Sequence, residues 1–205
     1  LITADSEAFP DDKKYGYRKT ILASFARYGI APASGSATRP GLWQPPKCDL
    51  TYGHAHADPM RWDSEAVFRF LWENRKPLEL DDDALTIVES VRPVARLSGD
   101  GFVLRETVVE YYQLLDLQAG ELGRAGVKKP KGMDAGQPVR LLGGGTILFD
   151  EFGHVKYHIG TNLRSSRQSG RLEQLWQRGA LRGRGARRAR RFALLHLDRR
   201  SDLRA

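Results

Sequence analysis

Thr146-Ile147-Leu148-Phe149-Asp150-Glu151-Phe152-Gly153-His154-Val155-Lys156-Tyr157-His158-Ile159 decides how this chain is read. Two runs rich in β-branched and aromatic residues flank a four-residue turn, Asp150 to Gly153, which predicts a β-hairpin. Gly153 sits where the turn wants a left-handed residue, because glycine has no Cβ to clash at positive φ. Strict alternation after the turn sends Val155, Tyr157 and Ile159 to one face and His154, Lys156 and His158 to the other. The first set is expected to cover a core and the second to meet solvent or a partner.

His154 and His158 would be neighbours on a helix and could share a zinc ion. On a strand they lie about 13 Å apart at about 3.3 Å per residue, too far to chelate one ion. The metalloprotease pattern also needs Glu after the first His, where Val155 stands.

Around the hairpin the periodicities predict an extended lead-in over 1–11 and a helix from Asp11 or Asp12 to about Tyr28, with Tyr17, Ile21, Phe25 and Tyr28 as a core-packing stripe. Residues 31–61, punctuated by Pro32, Pro40, Pro45, Pro46 and Pro59, read as a long loop. A helix follows over about 64–74 with Asp63 as its cap. Leu85 to Leu97 suits a strand, and Pro93, which lacks a ladder donor, places it at a sheet edge. Leu104, Val108, Tyr111, Leu115 and Leu122 fall at helical spacing, which predicts a helix over 104–122 with Glu106 and Glu110 on an exposed face. Val139 to Leu142 reads as a short strand, followed by Gly143-Gly144-Gly145, which permits close approach to the sheet. Further helices are expected over about 165–178, burying Leu172, Leu175 and Trp176, and over about 186–199. The fold class is therefore α+β: helices packed on a small, mainly antiparallel sheet containing the 146–159 hairpin. Its expected organisation is one domain over 1–180 and a basic, helical extension over 181–205.

The chain has 205 residues, 40% hydrophobic and 28% charged, a globular composition. No run of about 18 apolar residues predicts a transmembrane helix. The single cysteine, Cys48, forms no internal disulfide, and the start lacks the pattern of a secretory signal, so the expected location is cytoplasmic. Leu1 in place of Met is what a fragment of a longer protein, a processed product or a literally translated first codon would each give. The net charge of +8 is unevenly placed: residues 161–205 carry 13 Arg against three acids, and the rest carries 20 bases against 22 acids.

Two patterns carry candidate chemistry. Cys48, His54 and His56 in the 31–61 loop could supply three zinc ligands, since histidines at i and i+2 on an extended chain share a face about 6–7 Å apart, leaving a fourth position for water. That is the basis of a metal-dependent hydrolase reading. Arg182, Arg184, Arg187, Arg188, Arg190 and Arg191 could neutralise several phosphates, the basis of nonspecific nucleic-acid binding. An anionic lipid surface and an acidic protein are rival partners for that segment. The three glycines precede a strand rather than opening a helix, so they do not form a phosphate-cradling loop. No nucleophile elbow, Walker, Rossmann or kinase pattern occurs. The leading expectation is a non-catalytic interaction or accessory domain whose partner is another protein or the remainder of the same chain; no cofactor is implied.

Overall fold

A computed structural model describes residues 1–32, 35, 36, 39–43, 45, 46, 49–53, 57–97 and 100–181. The described residues form an α+β fold. Its helices are α1 (Ile2–Ala8), α2 (Tyr17–Arg27), α3 (Ala57–Met60), α4 (Ser64–Glu73) and α5 (Ser166–Gln177). Strands β1 (Gly35–Ser36) and β2 (Arg39–Pro40) pair with each other. Strands β3 (Leu85–Leu97), β4 (Val103–Gln118), β5 (Pro138–Phe149) and β6 (Val155–Thr161) form the main sheet in that spatial order. Among the described residues no helix is long and apolar enough to cross a membrane. The helix expected over 186–199 lies outside the described residues.

The chain divides into two compact units. The first comprises Leu1–Asp82, Thr86–Gln113 and Gly144–Thr161. Its core gathers Met60, Val67, Phe70 and Leu71 with Val109, Tyr111, Ile147, Phe149 and Val155. Helix α4 is placed as its sequence predicts: Asp63 accepts the Glu65 amide at 2.9 Å, and Val67, Phe70 and Leu71 form the buried face. Phe70 meets Phe149 edge to face, ring centroids 5.3 Å apart. Buried Asn74 then ties down residue 51, accepting the Thr51 amide at 2.7 Å and donating to the Thr51 carbonyl at 2.8 Å. Strand β3 is an edge strand, the position in a sheet where proline is tolerated, in agreement with Pro93.

The second unit comprises Asp83–Leu85, Leu114–Gly143 and Asn162 onward. Its core includes Leu115, Leu122, Val127, Val139, Leu141, Leu163, Leu172 and Trp176. A 3-10 helix over Ala119–Ala125 is closed by a capping box, Glu121 accepting the Gln118 amide at 3.0 Å, and by Gly126 at φ 68°. Helix α5 buries Leu172 and Trp176, and the Trp176 indole donates to the Lys131 carbonyl at 3.0 Å.

Five local expectations are corrected. Residues 104–118 are strand, not helix, and only 119–122 of the expected helix are helical, in the 3-10 turn: Thr107, Val109, Tyr111, Gln113 and Leu115 are buried at period two along β4, and the helical match arose because the other face is also partly apolar. The lead-in contains α1. Helix α2 starts later than expected, at Tyr17, because Asp12 accepts the amides of Tyr17 and Arg18 from five and six residues ahead, at 2.8 and 3.0 Å. Its aromatic stripe is not core: Tyr17, Phe25 and Tyr28 are exposed. Finally, Gly143 to Gly145 lie inside β5, which runs unbroken into the hairpin.

Candidate functional site

The hairpin forms as predicted, but its faces do not. Asp150 holds the turn by accepting the amides of Phe152 and His154 at 2.9 and 2.8 Å, and Gly153 takes φ 83°. Beyond it Val155 pairs with Phe149, whereas Tyr157 pairs with Leu148 and His158 with Ile147. One residue of β6, Lys156, is therefore extra: a β-bulge that breaks strict alternation. After the bulge His158 joins the core face with Ile147, while Lys156 and Tyr157 turn to the opposite face.

That opposite face carries the candidate site. Lys156 Nζ donates to Glu7 Oε2 at 2.5 Å and to Glu106 Oε1 at 3.0 Å. Arg96 donates to Glu106 through Nε at 2.9 Å and to Glu7 through Nη2 at 3.1 Å. The Tyr157 hydroxyl donates to Glu7 Oε1 at 2.6 Å. Two carboxylates and two cations thus cancel, and α1 is tied through Glu7 to β3 and β6. Beside this network lies a cavity of about 320 Å³ with mainly apolar walls, among them Trp43, Val108, Leu148 and Ile159, with Thr3 and Thr146 adding hydroxyls.

The electrostatics hold each member in one charge state. Burial alone would raise the Glu7 and Glu106 carboxyls, but hydrogen bonds and positive charge from Lys156 and Arg96, with the Tyr157 hydroxyl at Glu7, outweigh it and bring both below the usual range. Burial likewise opposes the Lys156 ammonium, and Glu7 and Glu106 outweigh it, so its pKa rises. Burial, then the hydrogen bond to Glu7, pushes Tyr157 up to about 12. An acid–base catalyst is most effective with a pKa near the working pH; every one of these groups is moved away from neutrality.

On the core face the buried Tyr111 hydroxyl shares a 2.7 Å hydrogen bond with Nε2 of His158, and the two rings stack 6.0 Å apart. Desolvation raises the Tyr111 pKa and lowers that of His158. The reading of both hairpin histidines as solvated is corrected for His158 and holds for His154, which is exposed. Because the folded His158 pKa lies below its unfolded value of about 6.5, its contribution to stability is complete above that pH and is lost as pH falls from there through the folded value. The wild-type melting temperature is expected to fall between pH 7 and pH 5, and a His158→Phe variant to show a smaller fall over the same window. Equal slopes in a thermal melt series would rule out the titration of His158 as the cause.

The other candidate residues are distributed as follows. Cys48, His54 and His56 lie outside the described residues, as do Arg182, Arg184, Arg187, Arg188, Arg190 and Arg191. Among the described residues no three His, Cys, Asp or Glu side chains gather as a metal site. Glu106 and Glu110 are on a strand, not a helix; Glu110 pairs with Arg92 at 3.0 Å and accepts from Ser90 at 2.8 Å. Sequence reasoning missed the Glu7–Arg96–Glu106–Lys156–Tyr157 network. Its members lie up to 150 residues apart, so no spacing joins them; the one local hint is a charge beside an aromatic in an alternating strand, at Lys156-Tyr157.

Comparison with protein-family models, with curated proteins and with solved structures finds no match to this chain.

Proposed function

We propose that this chain is a non-catalytic interaction domain that receives an apolar anchor side chain of a partner polypeptide in the cavity beside Glu7 and Lys156. The observation that carries this reading is the pairing of a mostly apolar hollow with a closed, charge-balanced network. The volume lies at the lower end of the ligand-pocket range of about 300–1,000 Å³, suited to one aromatic ring rather than a large cofactor. Aromatic anchors that fill such pockets supply much of the energy of protein–protein recognition. The network brings no net charge to the mouth, so it favours a neutral group. Its shifted pKa values support binding over acid–base catalysis.

The test uses indole as the isolated anchor ring, added to the full chain and followed by NMR. Saturable shifts of the Leu148 and Ile159 methyl resonances are expected, and a cavity-filling Val108→Phe variant is expected to abolish them. No saturable shift, or shifts that survive Val108→Phe, would refute the reading.

A second reading, nonspecific nucleic-acid binding by the C-terminal arginines, is favoured by the 13 Arg against three acids in residues 161–205. Affinity for a random duplex that falls steeply between 50 and 200 mM salt would agree with it; no binding at the lower salt would remove it.

A further inference from the structure

Helix α2 and the residues just before it form a second surface, none of whose residues lines the cavity. Tyr15 and Tyr17 stack on each other with centroids 5.3 Å apart and planes 28° from parallel. They are 62% and 59% exposed. Tyr28, at the other end of the helix, is 83% exposed. At about 100° per residue, eleven positions bring Tyr28 back to within about 20° of Tyr17, so both aromatics border one solvent face. None of the residues of α2 is buried.

The same surface is cationic. Between residues 11 and 28 five cations stand against two carboxylates. Lys13, Lys14 and Arg27 are exposed, and the Lys14 ammonium lies 4.8 Å from the Tyr15 ring centroid, whereas Lys19 falls about 160° round the helix from Tyr17 and faces away. Arg18 is committed to Asp5 at 2.7 Å, and the Asp12 carboxylate to two backbone amides, so the exposed lysines and Arg27 set the sign of the patch. Flat π faces at a solvent surface, ringed by point cations, are the two components by which proteins hold single-stranded nucleic acid: rings stack on unpaired bases and cations neutralise the backbone.

We propose that Tyr15, Tyr17 and Tyr28, with Lys13, Lys14 and Arg27, form a site for single-stranded nucleic acid. An acidic protein surface would satisfy the charge but presents carboxylates, not flat rings, to the stacked and exposed Tyr15 and Tyr17 faces. A duplex would satisfy the charge but keeps its bases stacked inside. The single strand uses both.

The experiment measures fluorescence anisotropy of a labelled twelve-residue oligothymidylate and of a random duplex with the full chain. A Tyr15→Ala/Tyr17→Ala/Tyr28→Ala variant is expected to lose about tenfold or more in affinity for the single strand. Its duplex affinity, which the C-terminal arginines could supply, is expected to stay unchanged. The corresponding Tyr→Phe variant should retain single-strand binding, since a phenyl ring stacks as well. Reversing Lys13, Lys14 and Arg27 to Glu should flatten the dependence of log K on log salt by about two, at about 0.7 per phosphate contact. The exposed positions predict unchanged melting temperatures for all these variants. No loss on the single strand, an equal loss on duplex, or tyrosine-dependent binding of polyglutamate would each overturn the proposal.

Discussion

Gly144→Ala is expected to destabilise the chain by about 4 kcal/mol or more, to the point where the β4–β5 pairing does not form as it stands. A Cβ built at Gly144 falls 2.4 Å from the Tyr111 carbonyl oxygen and 2.5 Å from the Tyr112 Cα. Both are backbone atoms of the neighbouring strand, so no side chain can swing aside. The residue also has φ 128°, a region that L side chains rarely adopt. Steric clash and backbone strain add here, and each alone is costly. Gly132→Ala provides the contrast: its φ is 77°, but nothing lies within 4 Å of its added Cβ, so about 1 kcal/mol of backbone strain is expected alone. Urea denaturation of the two variants checks this. A Gly144→Ala protein as stable as Gly132→Ala would mean that β4 and β5 do not approach as described.

Glu106→Gln is expected to cost about 2–4 kcal/mol at pH 7. The Glu106 side chain is only 9% exposed and accepts from both Arg96 and Lys156. Neutralising it leaves two cations sharing Glu7, and removing one member of a buried charge cluster is far costlier than replacing the whole cluster by apolar residues. The pH dependence has a definite sign. Glu106 is depressed in the folded state, so its stabilisation is fully present above the unfolded pKa of about 4.3 and is lost as pH falls through the folded value. The gap between wild type and Glu106→Gln should therefore be widest above about pH 5 and narrow on acidification. A gap that stays constant down to pH 2 would show that lost packing, rather than lost charge, separates the two proteins.

Much of the framework was legible because it is encoded locally. Asp63 caps α4, Gly153 and Asp150 make the turn, Pro93 marks an edge strand, and the Leu172/Trp176 spacing marks α5. Strand β4 was misread for a physical reason. Val108 lines the cavity and Glu106 is buried in the ion network, so the face that alternation expects to be polar is partly covered. Coverage on both faces erases the period of two, and Leu104, Val108, Tyr111 and Leu115 then imitate a helical stripe. The bulge at Lys156 is invisible for a different reason: it is a property of pairing between strands, and one extra residue inverts the facing of everything after it. The site depends on that inversion. Without it Tyr157 would point into the core and Glu7 would have no hydroxyl to accept from.

The α2 surface shows the converse case. Its stripe of Tyr17, Ile21, Phe25 and Tyr28 has the spacing of a core-facing helix, and spacing alone does not distinguish a face that packs on its own chain from one left exposed. Tyr17 and Tyr28 stand in solvent here, which turns a packing argument into a binding one.

The turning over of β6 at Lys156, on which the whole ion network depends, is measured directly by nuclear Overhauser contacts from two side chains. The Tyr157 ring is predicted to show contacts with Glu7 and Leu148, and the His158 ring with Tyr111 and Ile147. Contacts of Tyr157 with Ile147 and Phe149 instead, with His158 free of Tyr111, would contradict the bulge and the site built upon it.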